Sequence, residues 1–169
     1  MKLVTVQEMQ AIEREADARG LSYGEMMQNA GKSLAEIIDK RFYNAEPKTI
    51  VGLVGSGNNG GDTLIALAHL QKKGWETSAF MVKKRSGEDA PEKALSDAGG
   101  KIIHGFEEAG KNIKEIILGT AILLDGVLGT GVALPLRENV SNVLKAIQKL
   151  EDLPTIVAVD CLANNVYFN

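Results

Sequence analysis

The side chains with the most chemical capacity in this sequence are Asn58, Asn59, Asp62, Asp125 and Asp160. Each follows an apolar, β-branched run: Ile50 to Val54 before the first three, Ile122 to Leu124 before Asp125, and Ile156 to Val159 before Asp160. Such runs read as buried strands. In an open parallel sheet, ligands collect at the C-terminal strand edge. Amides and carboxylates gathered there can hold a polar ligand, coordinate a hard cation or move a proton. An Asp at a strand end also serves as a turn former, but three distant segments supplying such groups favour a shared crevice.

The first group lies in Gly55-Ser56-Gly57-Asn58-Asn59-Gly60-Gly61-Asp62, read as a loop between a strand over 49–54 and a helix. That helix carries Leu64, Ile65, Leu67, Ala68 and Leu70 at helical spacing and closes at Lys72-Lys73-Gly74. Strand, glycine loop and helix together aim backbone N–H groups and a helix N-terminus at an anion. Gly55, Gly57 and Gly60 fit the G-x-G-x-x-G spacing of dinucleotide-binding folds. No Lys-Ser/Thr pair follows, which excludes a Walker A loop. In place of an acidic ribose ligand after the next strand stands Lys83-Lys84-Arg85, either a solvated turn or a contact for an extra phosphate, as in NADP.

The elements that must position these groups alternate along the chain. Thr5-Val6-Gln7-Glu8 and Ser22-Tyr23-Gly24-Glu25 are capping boxes that open two helices. Val6, Met9, Ile12 and Ala16 line the first, which Gly20 ends, and Met27, Ala30, Leu34, Ile37 and Ile38 line the second. Strands follow over 75–82, 101–104, 121–125 and 155–160. Short helices lie around Pro91 to Leu95 and Ile113 to Ile117, and a longer one over 137–150 turns Val140, Val143, Leu144 and Ile147 inward. A second glycine loop, Gly129-Thr130-Gly131, follows Asp125. Alternation of this kind specifies an α/β fold with a mostly parallel sheet.

Length, charge and composition bound the rest. The 169 residues suit one domain, and 44% hydrophobic with 24% charged residues is ordinary for a soluble globular chain. A net charge of -3 gives no electrostatic case for nucleic acid. No run approaches a membrane span, and the lone Cys161 fits a reducing compartment, so a cytoplasmic location is expected. His69, inside the helix after the loop, and His104, beside a short strand, read as structural.

Taken together, Met26-Met27-Gln28-Asn29-Ala30-Gly31, Gly57-Asn58-Asn59-Gly60-Gly61-Asp62, the segment from Asp125 to Gly131 and Val157-Ala158-Val159-Asp160 resemble the N-terminal YjeF family of NAD(P)H-hydrate epimerases. The resemblance implies one three-layer αβα Rossmann-like domain over 1–169, usually dimeric. It implies interconversion of the R and S forms of NADHX or NADPHX, with a fused or separate NAD(P)H-hydrate dehydratase as partner. Asn58, Asn59, Gly60, Gly61 and Asp62, together with Gly129, Thr130, Gly131, Val132, Ala133, Leu134 and Pro135, would cradle the substrate. Asp160 would contact its reacting end as the catalytic acid or base, and potassium would sit on Asn59 and Asp125.

Departures from the family pattern qualify these expectations. Thr63 stands where the family usually has glycine, a change that a helix start should accept. The family's Asp-x-Pro-Ser-Gly is replaced by Asp160-Cys161-Leu162-Ala163-Asn164, so Ala163 withholds the hydroxyl expected on potassium and weakens that site. The chain also ends at Asn169, short of the usual domain of the family, and reads as C-terminally truncated. A non-catalytic nucleotide-binding or protein-interaction module with the same fold is the alternative. An NADP-dependent dehydrogenase ranks below both, because no second domain is present to hold a hydride acceptor.

Overall fold

The computed structural model describes residues 4–85, 87, 89–105, 113–129 and 135–159. Helix α1 (Val6–Ala18) starts where Thr5 Oγ1 accepts from Glu8 N at 3.2 Å while Thr5 N donates to the Glu8 carboxylate. Helix α2 (Tyr23–Arg41) repeats the device with Ser22 and Glu25. Each box satisfies otherwise orphaned N–H groups at a helix start. Gly20, at φ +99°, takes the left-handed turn between the two helices.

The apolar stripes of these helices differ from the sequence reading. Helix α1 buries no residue, and Met9 and Ile12 stay 45% and 52% exposed. In α2 the buried stripe is Gly31, Ala35 and Ile38, whereas Ile37 points outward at 62% exposure. Adjacent residues on a helix sit about 100° apart, so Ile37 and Ile38 cannot both face one neighbour.

Strand β1 (Thr49–Val54), helix α3 (Asn58–Lys72), β2 (Glu76–Met81), α4 (Ala90–Asp97) and β3 (Lys101–Ile103) form the first half of the sheet. Helix α5 (Ile113–Ile117), β4 (Ile122–Gly126), α6 (Glu138–Gln148) and β5 (Thr155–Ala158) form the second. All pairings are parallel, in the order β3-β2-β1-β4-β5. The chain runs outward from β1 to β3 and then returns to the other side of β1. The strand order therefore reverses between β1 and β4, the place where such sheets open a crevice for ligands.

Both faces of the sheet are covered. Ile50, Val54, Met81 and Leu124 pack with Leu64, Leu67, Leu70 and Leu95 from α3 and α4. Val51, Leu53, Phe80 and Leu123 pack with Ile113, Ile117, Val143, Leu144 and Ile147 from α5 and α6. The three-layer αβα architecture expected from the sequence is the observed one. Helix α2 is tied to the turn after α3 by Asp39, which accepts from Trp75 Nε1 at 2.9 Å and Lys73 Nζ at 3.1 Å. These bonds, Trp75's first, hold the Asp39 carboxyl below its ordinary pKa.

Candidate functional site at the strand-order reversal

The helix after β1 begins earlier than the sequence suggests. Helical structure starts at Asn58, so Asn58 to Asp62 form the first turns of α3 and the true loop is only 55–57. The N-cap, Gly57, supplies no side-chain cap, which leaves the first N–H groups of α3 to other partners. These residues open onto a cavity of about 360 Å³ lined by Ser56, Gly57, Asn58, Asn59 and Gly60 on one side. Gly126, Val127, Leu128 and Gly129, at the end of β4, line the other, and Gln10 of α1 reaches its rim.

Asn59 joins the two walls. Its Nδ2 donates to the Leu128 carbonyl at 2.8 Å, across 69 residues of chain. Gly129 lies against the same side chain, since a Cβ there would come within 2.7 Å of Nδ2. Thr63, the departure noted above, is fully buried, and its hydroxyl donates to the Asn59 carbonyl at 2.7 Å. It fits because Gly126 has no side chain: a Cβ there would fall 1.9 Å from Thr63 Oγ1.

Asp125 is the penultimate residue of β4, at 2% exposure, and one of its oxygens accepts from Val127 N at 3.1 Å. With the nitrogen end of the Asn59 amide committed to Leu128, its oxygen is the end available to a cation. An amide oxygen, a buried carboxylate and neighbouring carbonyls are the donor chemistry a hard cation such as potassium prefers, so the residues present fit it. Val159 N donates to the Asp125 carbonyl at 2.9 Å, which brings the end of β5 alongside. Asp160, Ala163, and Thr130 to Leu134 lie outside the described residues, and Pro135 is an exposed bend before α6.

Asp62 faces a different space from the one expected. It lines an adjoining cavity of about 140 Å³ with Glu13, Tyr23, Met26, Met27, Ala30 and Asn58, and Asn58 alone borders both. Burial first, then the nearby Glu13 charge, pushes the Asp62 carboxyl up to about 6, with Arg85 opposing. Neither histidine lines either cavity, and burial lowers the pKa of His69.

Of the two readings the sequence left open for Lys83-Lys84-Arg85, the solvated turn fails at Arg85. Arg85 is neither solvated nor turned outward. Its Nη1 donates to the carbonyls of Gly55 at 3.0 Å and Gly57 at 2.9 Å, and its Nε pairs with Asp89. Both side chains of that ion pair are nearly buried, at 11% and 9% exposure. Position in a basic run gave no sign of this, because only the tertiary fold brings the end of β2 beside the loop after β1. Gly60 is part of the same interlock. A Cβ there would lie 2.0 Å from the Gly55 carbonyl oxygen and 3.0 Å from Arg85 Nη1.

With this geometry in place, comparison with known proteins assigns the family. The family model described as "YjeF-related protein N-terminus" matches residues 23–162. The chain belongs to the YjeF N-terminal family. One relative, from Archaeoglobus fulgidus, is a protein named bifunctional NAD(P)H-hydrate repair enzyme Nnr; it is 34% identical over 95% of this chain and 32% of its own length. A protein from Rhodopirellula baltica named NAD(P)H-hydrate epimerase is 31% identical over 84% of this chain and 62% of its own. This YjeF-family chain thus spans about a third of the bifunctional relative. The crystal structure of yeast ynu0 matches with a TM-score of 0.81 at 24% identity, covering 94% of this chain and 70% of that one, which supports the fold.

Proposed function

We propose that this chain is an NAD(P)H-hydrate epimerase domain that interconverts the R and S forms of NADHX and NADPHX. The observation that carries the reading is the Asn59 bridge from the start of α3 to Leu128. It joins the two family motifs across the strand-order reversal, in a chain whose relatives bear the epimerase name. The uncapped N–H groups of α3 suit the anionic part of a nucleotide. Asn58, Asn59, Gly60, Gly61, Asp62 and Gly129 to Pro135 are proposed as the cradle. Potassium is proposed on Asn59 and Asp125, where it would offset pyrophosphate charge, held weakly because Ala163 lacks a hydroxyl.

Inverting the hydrated nicotinamide carbon requires a bond at that carbon to break and re-form, with a proton delivered and recovered by a positioned group. Asp160 is proposed for that role. A homodimer, and a dehydratase acting on the S form, fused or separate, complete the proposal. The test is incubation with R-NADPHX, following the isomer ratio by chromatography. Equilibration well above the spontaneous rate is expected, and Asp160→Asn should lower it by roughly a hundredfold or more. The replacement of Pro-Ser-Gly after Asp160 favours a second reading, a nucleotide-binding module without catalysis. A parental rate equal to the spontaneous one, with NADPH binding retained in calorimetry, would establish that module instead.

A further inference from the structure

We propose that Arg85 is a positioning residue that aims the backbone N–H groups of the glycine loop into the cavity, an inference that rests on the epimerase reading for its substrate. In a trans peptide the C=O and the following N–H point in opposite directions. By drawing the Gly55 and Gly57 carbonyls toward itself, Arg85 directs Ser56 N–H and Asn58 N–H the other way. Ser56 and Asn58 are both cavity-lining residues. Without Arg85, the Gly55 carbonyl would be free to rotate toward the ligand and present partial negative charge to an anionic phosphate.

The device has an anchor and a key. Asp89 fixes the guanidinium from the far side, in a nearly buried pair that leaves Arg85 little freedom. Gly60 leaves room for the Gly55 carbonyl and Arg85 Nη1 to meet, since any Cβ would occupy that space. The Gly57 carbonyl also accepts the first α3 backbone bond, from Gly61 N at 3.2 Å, so Arg85 braces the start of the helix as well as the loop. Only a planar fork can hold the two carbonyls and the carboxylate in this arrangement; a lysine ammonium keeps the charge and loses the geometry. The ligand class served is a phosphate or pyrophosphate ester.

The experiment compares Arg85→Met, Arg85→Lys and Asp89→Asn with Lys101→Met, a loss of charge at an exposed residue of β3. KM for R-NADPHX should rise about tenfold or more in both Arg85 variants, with kcat within about threefold, the pattern of lost ground-state binding. Lys101→Met should match the parent. Hydrogen exchange of the amides over 56–61 should quicken in the Arg85 variants and in Asp89→Asn. If Arg85→Lys keeps the parental KM and exchange, charge rather than positioning is at work and the inference fails. A fall in kcat at unchanged KM would also overturn it. Should Arg85→Met not fold, Arg85→Lys and Asp89→Asn decide the matter. Should the parent show no epimerisation, the functional reading fails separately, and calorimetry with ADP-ribose together with the exchange data still tests the positioning.

Discussion

Asp62 shows how much a single carboxyl can set against the stability of its own fold. Its folded pKa, about 6, lies above the ordinary 3.8, so its contribution is fully present below about pH 4 and is lost as pH rises through 6. At pH 7.5 the protein holds an ionised carboxylate where burial disfavours one. The shift sets a ceiling of about 3 kcal/mol, reduced by remaining solvent contact to about 1 kcal/mol. Asp62→Asn should therefore melt roughly 2–4 °C higher than the parent at pH 7.5 and level with it near pH 4. Thermal denaturation across that range checks the sign. Because the proposed cradle includes Asp62, the stabilised variant should also turn over R-NADPHX more slowly, as groups held at a functional site often cost stability.

At the scale of elements, the glycines of the loop and of α3 divide by physical role. Gly60 is demanded by packing against the Gly55 carbonyl and Arg85, whereas a Cβ on Gly57 would meet nothing within 4 Å. Gly60→Ala should lose about 2–3 kcal/mol in denaturant unfolding, the cost of forcing backbone apart. Gly57→Ala should unfold like the parent and yet bind NADPH more weakly, because the space it fills is the cavity. Normal NADPH binding by Gly57→Ala would remove the loop from the nucleotide site. Gly31 sets a second close approach, where α2 crosses α3: a Cβ would sit 2.6 Å from Ile65 and 2.9 Å from the Asp62 carbonyl. Alanine's better helix propensity returns about 1 kcal/mol, less than the clash costs, so Gly31→Ala should be destabilised by about 1–2 kcal/mol in urea unfolding.

For the whole molecule, the two packed faces of the sheet make one cooperative unit around a crevice that a ligand can bridge. A ligand joining the α3 start to the β4 end binds only the folded state. ADP-ribose at a hundred times its dissociation constant should therefore add about 2.7 kcal/mol to stability. In a chain of this size that is a rise in Tm of roughly 5–10 °C. The rise should shrink as salt screens the contacts to its phosphates, which scanning at low and high ionic strength would reveal. Absence of any shift would argue against the crevice as a nucleotide site.

Periodicity made most elements of this protein legible. β1 was readable to the residue, the helix over 138–148 buries the four apolar residues expected, and both capping boxes form as written. Local rules sufficed there because a strand or cap is decided by neighbours in sequence. The position of the Gly-Asn-Asn-Gly-Gly-Asp run at the C-terminal edge of the sheet was also legible, since a glycine turn between strand and helix fixes which end of the sheet it occupies. Which face of α2 meets α3 and where α3 begins were settled by contacts far apart in the chain, as was the inward turn of Arg85 onto Gly55 and Gly57. A guanidinium in a basic run looks solvated until the parallel sheet carries the end of β2 to within hydrogen-bond reach of the loop after β1. Only the folded chain supplies carbonyls to occupy it and a nearly buried carboxylate to hold it there.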